Sequence, residues 1–195
     1  MVRNQNMKAA AGQTQEPALH ETVPGPEQLD ILKNMSGNAL KLEREGKYEA
    51  AEEIYWQLLE QREKLLGPEH PDTIICMYQL ARVLRIQRKS DNAEKLFRQV
   101  LELHERVLGP QHRDTLATMS NLAATLIQQG TKAEAKEMYR QQLERQVRAS
   151  GFDHPDTFSA KYNLGNMLEE NEMYQVVLGM SPKGAGDVKV EIRQK

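Results

Sequence analysis

The sequence is short of four things, and each shortage closes a class of function. Cysteine is nearly absent: Cys76 is the only one among 195 residues. No disulfide can form within the chain, no cysteine pair is available to a metal, and a reducing compartment is the expected setting. Aromatic residues make up only 5%, a proportion that suits helices better than sheets. No apolar run approaches the ~18–20 residues that span a bilayer. The first twenty residues also lack the apolar core of a signal peptide, so the expected location is cytoplasmic, with no membrane partner. Nor is there an excess of charge of one sign, since 26 Lys and Arg face 28 Asp and Glu for a formal charge of −2. A nucleic-acid binder needs a basic footprint to displace counterions from phosphate, and this composition argues against one.

Catalytic signatures are missing as well. The sequence holds no GxxxxGK[ST] phosphate loop, no GxSxG elbow and no HExxH pair, and the glycine-rich stretch from Gly179 to Gly186 has no Lys-Ser/Thr beside it. His20 and His104 have no evident partner, and Cys76, aligned with Thr118, reads as packing within a helix. Neither catalysis nor a cofactor is expected.

What the chain has instead is one connector used repeatedly. It reads GPEHPDT from Gly67 to Thr73, GPQHRDT from Gly109 to Thr115, GFDHPDT from Gly151 to Thr157 and, more faintly, GPEQLDI from Gly25 to Ile31. His70, His112 and His154 stand 42 residues apart, and one further step back falls on Gln28. A fixed period of a few tens of residues means one supersecondary unit stacked on copies of itself.

The connector stops one helix and starts the next. Glycine takes a conformation other residues avoid, and the following proline cannot continue the ladder. In His70-Pro71-Asp72-Thr73 the proline turns His70 away from helical angles, and Asp72 or Thr73 is expected to cap the free amides of the next helix. Connections this short make the joined helices antiparallel neighbours. The three histidines are expected to pack or cap locally, because equivalent positions in successive repeats lie two helix layers of roughly 8–10 Å apart and cannot converge on one metal.

Between connectors, apolar residues recur at helical spacing. The first repeat, 25–66, carries Leu29, Leu32, Met35, Ala39 and Leu42, then a turn at Gly46-Lys47-Tyr48, then Ala51, Ile54, Tyr55, Leu58, Leu59 and Leu65. The second, 67–108, carries Ile74, Met77, Leu80, Ala81 and Leu84, then Ala93, Leu96, Phe97, Val100, Leu101 and Leu108. The third, 109–150, carries Leu116, Met119, Leu122, Ala123 and Leu126, then Ala135, Met138, Tyr139 and Leu143. A fourth, 151–178, begins with Phe158, Tyr162, Leu164, Gly165 and Leu168 and is cut short by Gly179, Pro182, Gly184 and Gly186. The polar stretch 1–24 reads as a disordered tail and 179–195 as a second tail. The expected fold is all-α: a superhelical solenoid of antiparallel helix hairpins, three complete and one incomplete.

In this arrangement Leu80, Ala81, Leu84, Ala93 and Phe97 follow the order of a tetratricopeptide repeat, whose common form has 34 residues. The longer form, joined by LGPEHPDT, resembles the arrays of kinesin light chains and of fungal NLR-like proteins over about residues 25–172. That resemblance implies a non-enzymatic module that binds a protein or peptide segment in a concave groove lined by the first helix of each repeat. An alternative implication is a regulatory or sensor segment derived from a larger NLR-like ATPase.

The residues expected on the groove face are Tyr78, Gln79, Arg82 and Arg85 in the second repeat, Ser120, Asn121 and Gln128 in the third, and Tyr162, Asn163, Asn166 and Glu170 in the fourth. Gln79, Asn121 and Asn163 form one column. The resemblance to peptide-binding arrays implies that an amide there clamps a ligand backbone through its donor and acceptor; the alternative is a solvated face. Arg82, Arg85, Arg88 and Lys89 make one end of this face basic, while Glu169, Glu170 and Glu172 make the other acidic. Val176, Val177, Leu178 and Met180 leave an apolar edge that self-association could cover.

Overall fold

Each 42-residue period is spent on two helices and two turns. The computed structural model describes residues 25–168; the expectations for the two tails, for Glu169, Glu170 and Glu172, and for the apolar edge at 176–180 lie outside them. The described residues form α1 (Pro26–Arg44), α2 (Tyr48–Leu66), α3 (Pro71–Ile86), α4 (Ser90–Val107), α5 (Arg113–Gln129), α6 (Lys132–Ser150) and α7 (Pro155–Gly165). Each helix packs on the helices before and after it, and α3 also touches α5. The first helices (α1, α3, α5, α7) thus form one layer and the second helices (α2, α4, α6) another, as in stacked hairpins.

Two kinds of turn make this possible. Between repeats, Gly67 and Gly151 adopt φ 87°, ψ 162° and φ 91°, ψ 164°, a region open essentially to glycine alone. Within repeats the turn residue is left-handed, with φ 73° at Gly46 and 85° at Gly130. In the second repeat the same position is Arg88, at φ 63°, a conformation that a side chain disfavours.

The starts of α3, α5 and α7 correct one expectation. The cap is neither Asp72 nor Thr73: the imidazole Nδ1 of His70 accepts from the Asp72 backbone N–H at 3.2 Å, and His112 and His154 do the same for Asp114 and Asp156. The histidines therefore cap locally, each in its own connector. The aspartates place negative charge in the first helical turn, where the helix dipole favours it. Two of the three threonines turn back, the hydroxyls of Thr115 and Thr157 donating to the Gly109 and Gly151 carbonyls at 2.8 and 2.7 Å, whereas Thr73 Oγ1 is buried without a partner among the described residues.

The core follows the columns. Ala39, Ala81 and Ala123 are fully buried, as are Ala51, Ala93 and Ala135, and these small residues let the helices approach closely. Tyr55, Phe97 and Tyr139 fill the space beside them as one buried aromatic column. Expectations of burial fail at the margins. Leu65 and Leu42 are only half-buried, and Leu108, at the very end of α4, is exposed. In α7, Ala160 and Leu164 face inward while Phe158 is 56% exposed; Tyr162, expected on the groove face, is 70% exposed. The residue equivalent to Phe158 in the third repeat, Leu116, is covered by α6, whose Gln142 donates to its carbonyl; the corresponding stretch of the fourth repeat lies outside the described residues.

Candidate interaction surface

The row of first helices brings the expected residues onto one face, most of them half-buried instead of freely exposed. Tyr78, Gln79, Arg82, Arg85, Ser120, Asn121, Gln128 and Asn163 are all intermediate in burial; only Tyr162 and Asn166 are exposed. Tyr78 packs edge-on against Phe97, with ring centres 5.9 Å apart, and burial pushes its phenol pKa up. It stays a neutral hydroxyl.

The asparagine column has a structural task that the sequence reading missed. Asn121 Nδ2 donates to the Tyr78 hydroxyl at 2.9 Å and to the Ala117 carbonyl at 3.0 Å. One repeat later, Asn163 Nδ2 donates to Ser120 Oγ at 3.0 Å. Each asparagine thereby ties its helix to the equivalent helix of the preceding repeat. Both amide hydrogens of Asn121 are taken, so what it can offer a ligand is its side-chain oxygen, an acceptor. The signal lay in the sequence as a pair of adjacent columns, Tyr78/Ser120/Tyr162 and Gln79/Asn121/Asn163, but spacing alone does not say that the two columns touch.

The arginines differ from each other. Arg82 Nη2 lies 3.1 Å from Glu43, whose other oxygen accepts from the Tyr55 hydroxyl at 3.2 Å, and Arg82 Nη1 also donates to Gln79. Its charge is neutralised within the array. Arg85 has no ion pair among the described residues, and its Nε is buried without a hydrogen-bond partner. The Arg85 guanidinium lies close enough to Tyr78 and Tyr139 for its charge to favour their ionised forms against the larger effect of burial. Gln128 accepts from Ser90 at 3.3 Å, linking the third repeat to the α3–α4 turn. Arg88 and Lys89 leave the inner face: Arg88 is exposed at the turn, and Lys89 Nζ binds Glu52 on α2 at 2.6 Å.

A second polar column runs through the layer boundary. Arg62, His104 and Gln146 are buried and 42 residues apart. Arg62 Nη1 donates to the Asp72 carbonyl at 2.8 Å. His104 Nδ1 lies 3.0 Å from Thr118 Oγ1, whose own hydrogen goes to the Asp114 carbonyl at 2.8 Å, so the ring nitrogen is the donor. Burial holds the His104 pKa down, with nearby Asp114 opposing. Burial also pushes the Cys76 thiol up to about 11, which leaves it protonated at neutral pH and unsuited to nucleophilic attack. Among the described residues no group of three or more His, Cys, Asp or Glu side chains is placed to hold a metal, and no helix is long and apolar enough to cross a membrane.

The tetratricopeptide repeat family model matches residues 30–103 and 77–146, together more than half of the sequence. The chain belongs to the tetratricopeptide repeat family. Such repeats generally mediate protein interactions and are typically non-catalytic. Among solved structures it is similar to the tetratricopeptide-like repeats of a Podospora anserina protein assigned as a kinesin light chain, at 23% identity and a TM-score of 0.65, over 76% of this chain and 71% of that one. A single-substitution variant of the same protein matches equally, over 70% of its length. BtubC (BKLC) of P. vanneervenii is similar at 17% identity and a TM-score of 0.69, over 90% of this chain and 75% of that one. At these identities the likeness shows the tetratricopeptide fold. No curated protein matches the chain significantly.

Proposed function

We propose that the chain is a non-catalytic interaction module that holds an extended polypeptide segment along its row of first helices, with Arg85 as the charge anchor. The supporting observation is the contrast between two arginines one helical turn apart on α3. Arg82 is neutralised by Glu43, whereas Arg85 is half-buried with no counter-charge among the described residues and an orphaned Nε. A buried donor without a partner is costly, and a ligand carboxylate would reduce that cost. The side-chain oxygens of Asn121 and Asn163, which accept no hydrogen bond among the described residues, are suited to the backbone N–H groups of such a segment. The ligand chemistry that fits is therefore an extended peptide with an acidic side chain positioned for the second repeat.

Fluorescence anisotropy with labelled synthetic peptides graded in acidic content tests this reading. Affinity should rise with acidic content and fall about tenfold in Arg85→Ala, corresponding to ~1.4 kcal/mol, while far-UV circular dichroism stays unchanged. Equal binding by Arg85→Ala would remove the anchor from the account, and absence of binding across the whole series would remove the groove.

A further inference from the structure

The outer layer treats its two described furrows differently. Between α4 and α6, two ion pairs bridge neighbouring repeats: Arg98 to Glu134, and Arg145 to Glu105. Forty-two residues earlier the same four positions hold Trp56, Asn92, Leu103 and Glu63, so neither bridge can form between α2 and α4. What remains there is a groove of about 640 Å³ lined by Trp56, Leu59, Met77 and Leu96, with Glu60 and Glu63 on one wall and Lys95 on the other. Trp56 is 44% exposed. Its indole lies beside the Glu52 carboxylate, which Gln87 and Lys89 hold at 2.8 and 2.6 Å. Glu60 is paired with Lys64 at 2.6 Å. Glu63 has neither an ion pair nor a hydrogen bond from its side chain among the described residues.

We propose that the α2–α4 groove is a second docking site, for a polypeptide segment that presents an arginine or lysine beside a bulky apolar side chain. The chain itself displays the complement. Glu105, the equivalent of Glu63, is held by the guanidinium of Arg145; an incoming cation takes that place at Glu63, where the sequence supplies Leu103 instead. The apolar neighbour of that cation packs on the floor formed by the buried Leu59, Met77 and Leu96 and covers chiefly the free face of Trp56, whose ring also favours a nearby cation. Lys95 on the far wall repels a uniformly basic segment, which narrows the choice to a single cation flanked by apolar residues. The site is independent of Arg85 and of the row of first helices.

Trp56 is the only tryptophan in the sequence, so the emission of the full-length chain reports on this groove directly. The probe is a synthetic alanine-based helical peptide with one Arg and one Leu a turn apart; its controls replace Arg by Glu, or Leu by Ser. The proposal predicts a saturable blue shift with the Arg/Leu peptide and binding at least about fivefold weaker for either control. Glu63→Gln should weaken binding to a similar degree. Leu103→Arg, which gives Glu63 an internal partner, should do so too, with circular dichroism confirming the fold of both variants. Arg85→Ala should bind this peptide normally, which separates the site from the one on the first helices. No saturable shift, equal binding of the Arg→Glu control, or wild-type binding by Glu63→Gln would each overturn the proposal. So would an emission shift that follows protein concentration alone, with a dimer in sedimentation, because it would assign the groove to a second copy.

Discussion

At Arg88 the backbone takes the left-handed conformation that Gly46 and Gly130 provide in the flanking repeats. Arg88→Gly removes that strain at the cost of extra freedom in the unfolded chain, and the two effects leave a net gain of about 0.5 kcal/mol. Urea unfolding should show a raised midpoint at unchanged slope; a lowered midpoint would mean that the arginine makes a contact worth more than its strain. His104 gives a residue-scale prediction in pH. Its folded pKa lies below the ordinary 6.5, so between the two values the unfolded chain binds a proton that the folded chain does not. Its contribution is therefore complete above about pH 6.5 and is lost as the pH falls from there toward the folded value. Between about pH 7.5 and pH 5.5 the wild type should lose more stability than His104→Gln, which places here the residue found at Gln146. Equal losses would show that the ring carries no such penalty.

At the scale of helices, register is held by polar ties as well as by packing. The amide of Asn121 reaches the hydroxyl of Tyr78 across the α3–α5 contact. A double-mutant cycle with Tyr78→Phe and Asn121→Ala should give a coupling of about 0.5–1 kcal/mol in stability, and zero coupling would contradict the stacking of first helices in this register. The tie also changes what mutation at Asn121 can mean. Loss of partner capture in Asn121→Ala would mix a lost ligand contact with a loosened α3–α5 junction, whereas Arg85 makes no ion pair or side-chain hydrogen bond among the described residues to lose. The connectors and hairpins were legible in the sequence because glycine, proline and histidine recur at one spacing and because alanine and aromatic columns repeat in size. The identity of the cap was not legible, since Asp72 and Thr73 are better-known cap formers than His70; only the geometry shows the imidazole on the amide, with Thr73 Oγ1 buried and unpaired among the described residues and the later threonines, Thr115 and Thr157, turned back to glycine. Phe158 misled for a related reason. Its apolar bulk reads as core, yet a residue is buried only where a neighbouring helix covers it.

Across the whole molecule, a 42-residue step maps side chains onto rows, and rows suit recognition better than chemistry. The candidate face was legible as a set of columns on first helices, but the state of each residue in it was not. Arg82 and Arg85 look alike in sequence; Glu43, distant in the chain, neutralises one and leaves the other. The same comparison of columns distinguishes the two outer furrows: α4 and α6 are joined by Arg98–Glu134 and Arg145–Glu105, whereas the α2–α4 furrow lacks both equivalents and is open beside Trp56, with Lys89–Glu52 tied at its edge. Backbone amide NMR shifts, followed while the tightest acidic peptide from the graded series is titrated in, test the central claim most directly. The account predicts that the perturbed residues fall on first helices in steps of 42, around 78–85, 121–128 and 163, with the α2–α4 groove unmoved. Perturbations confined to a single repeat, or gathered on the second helices, would contradict it.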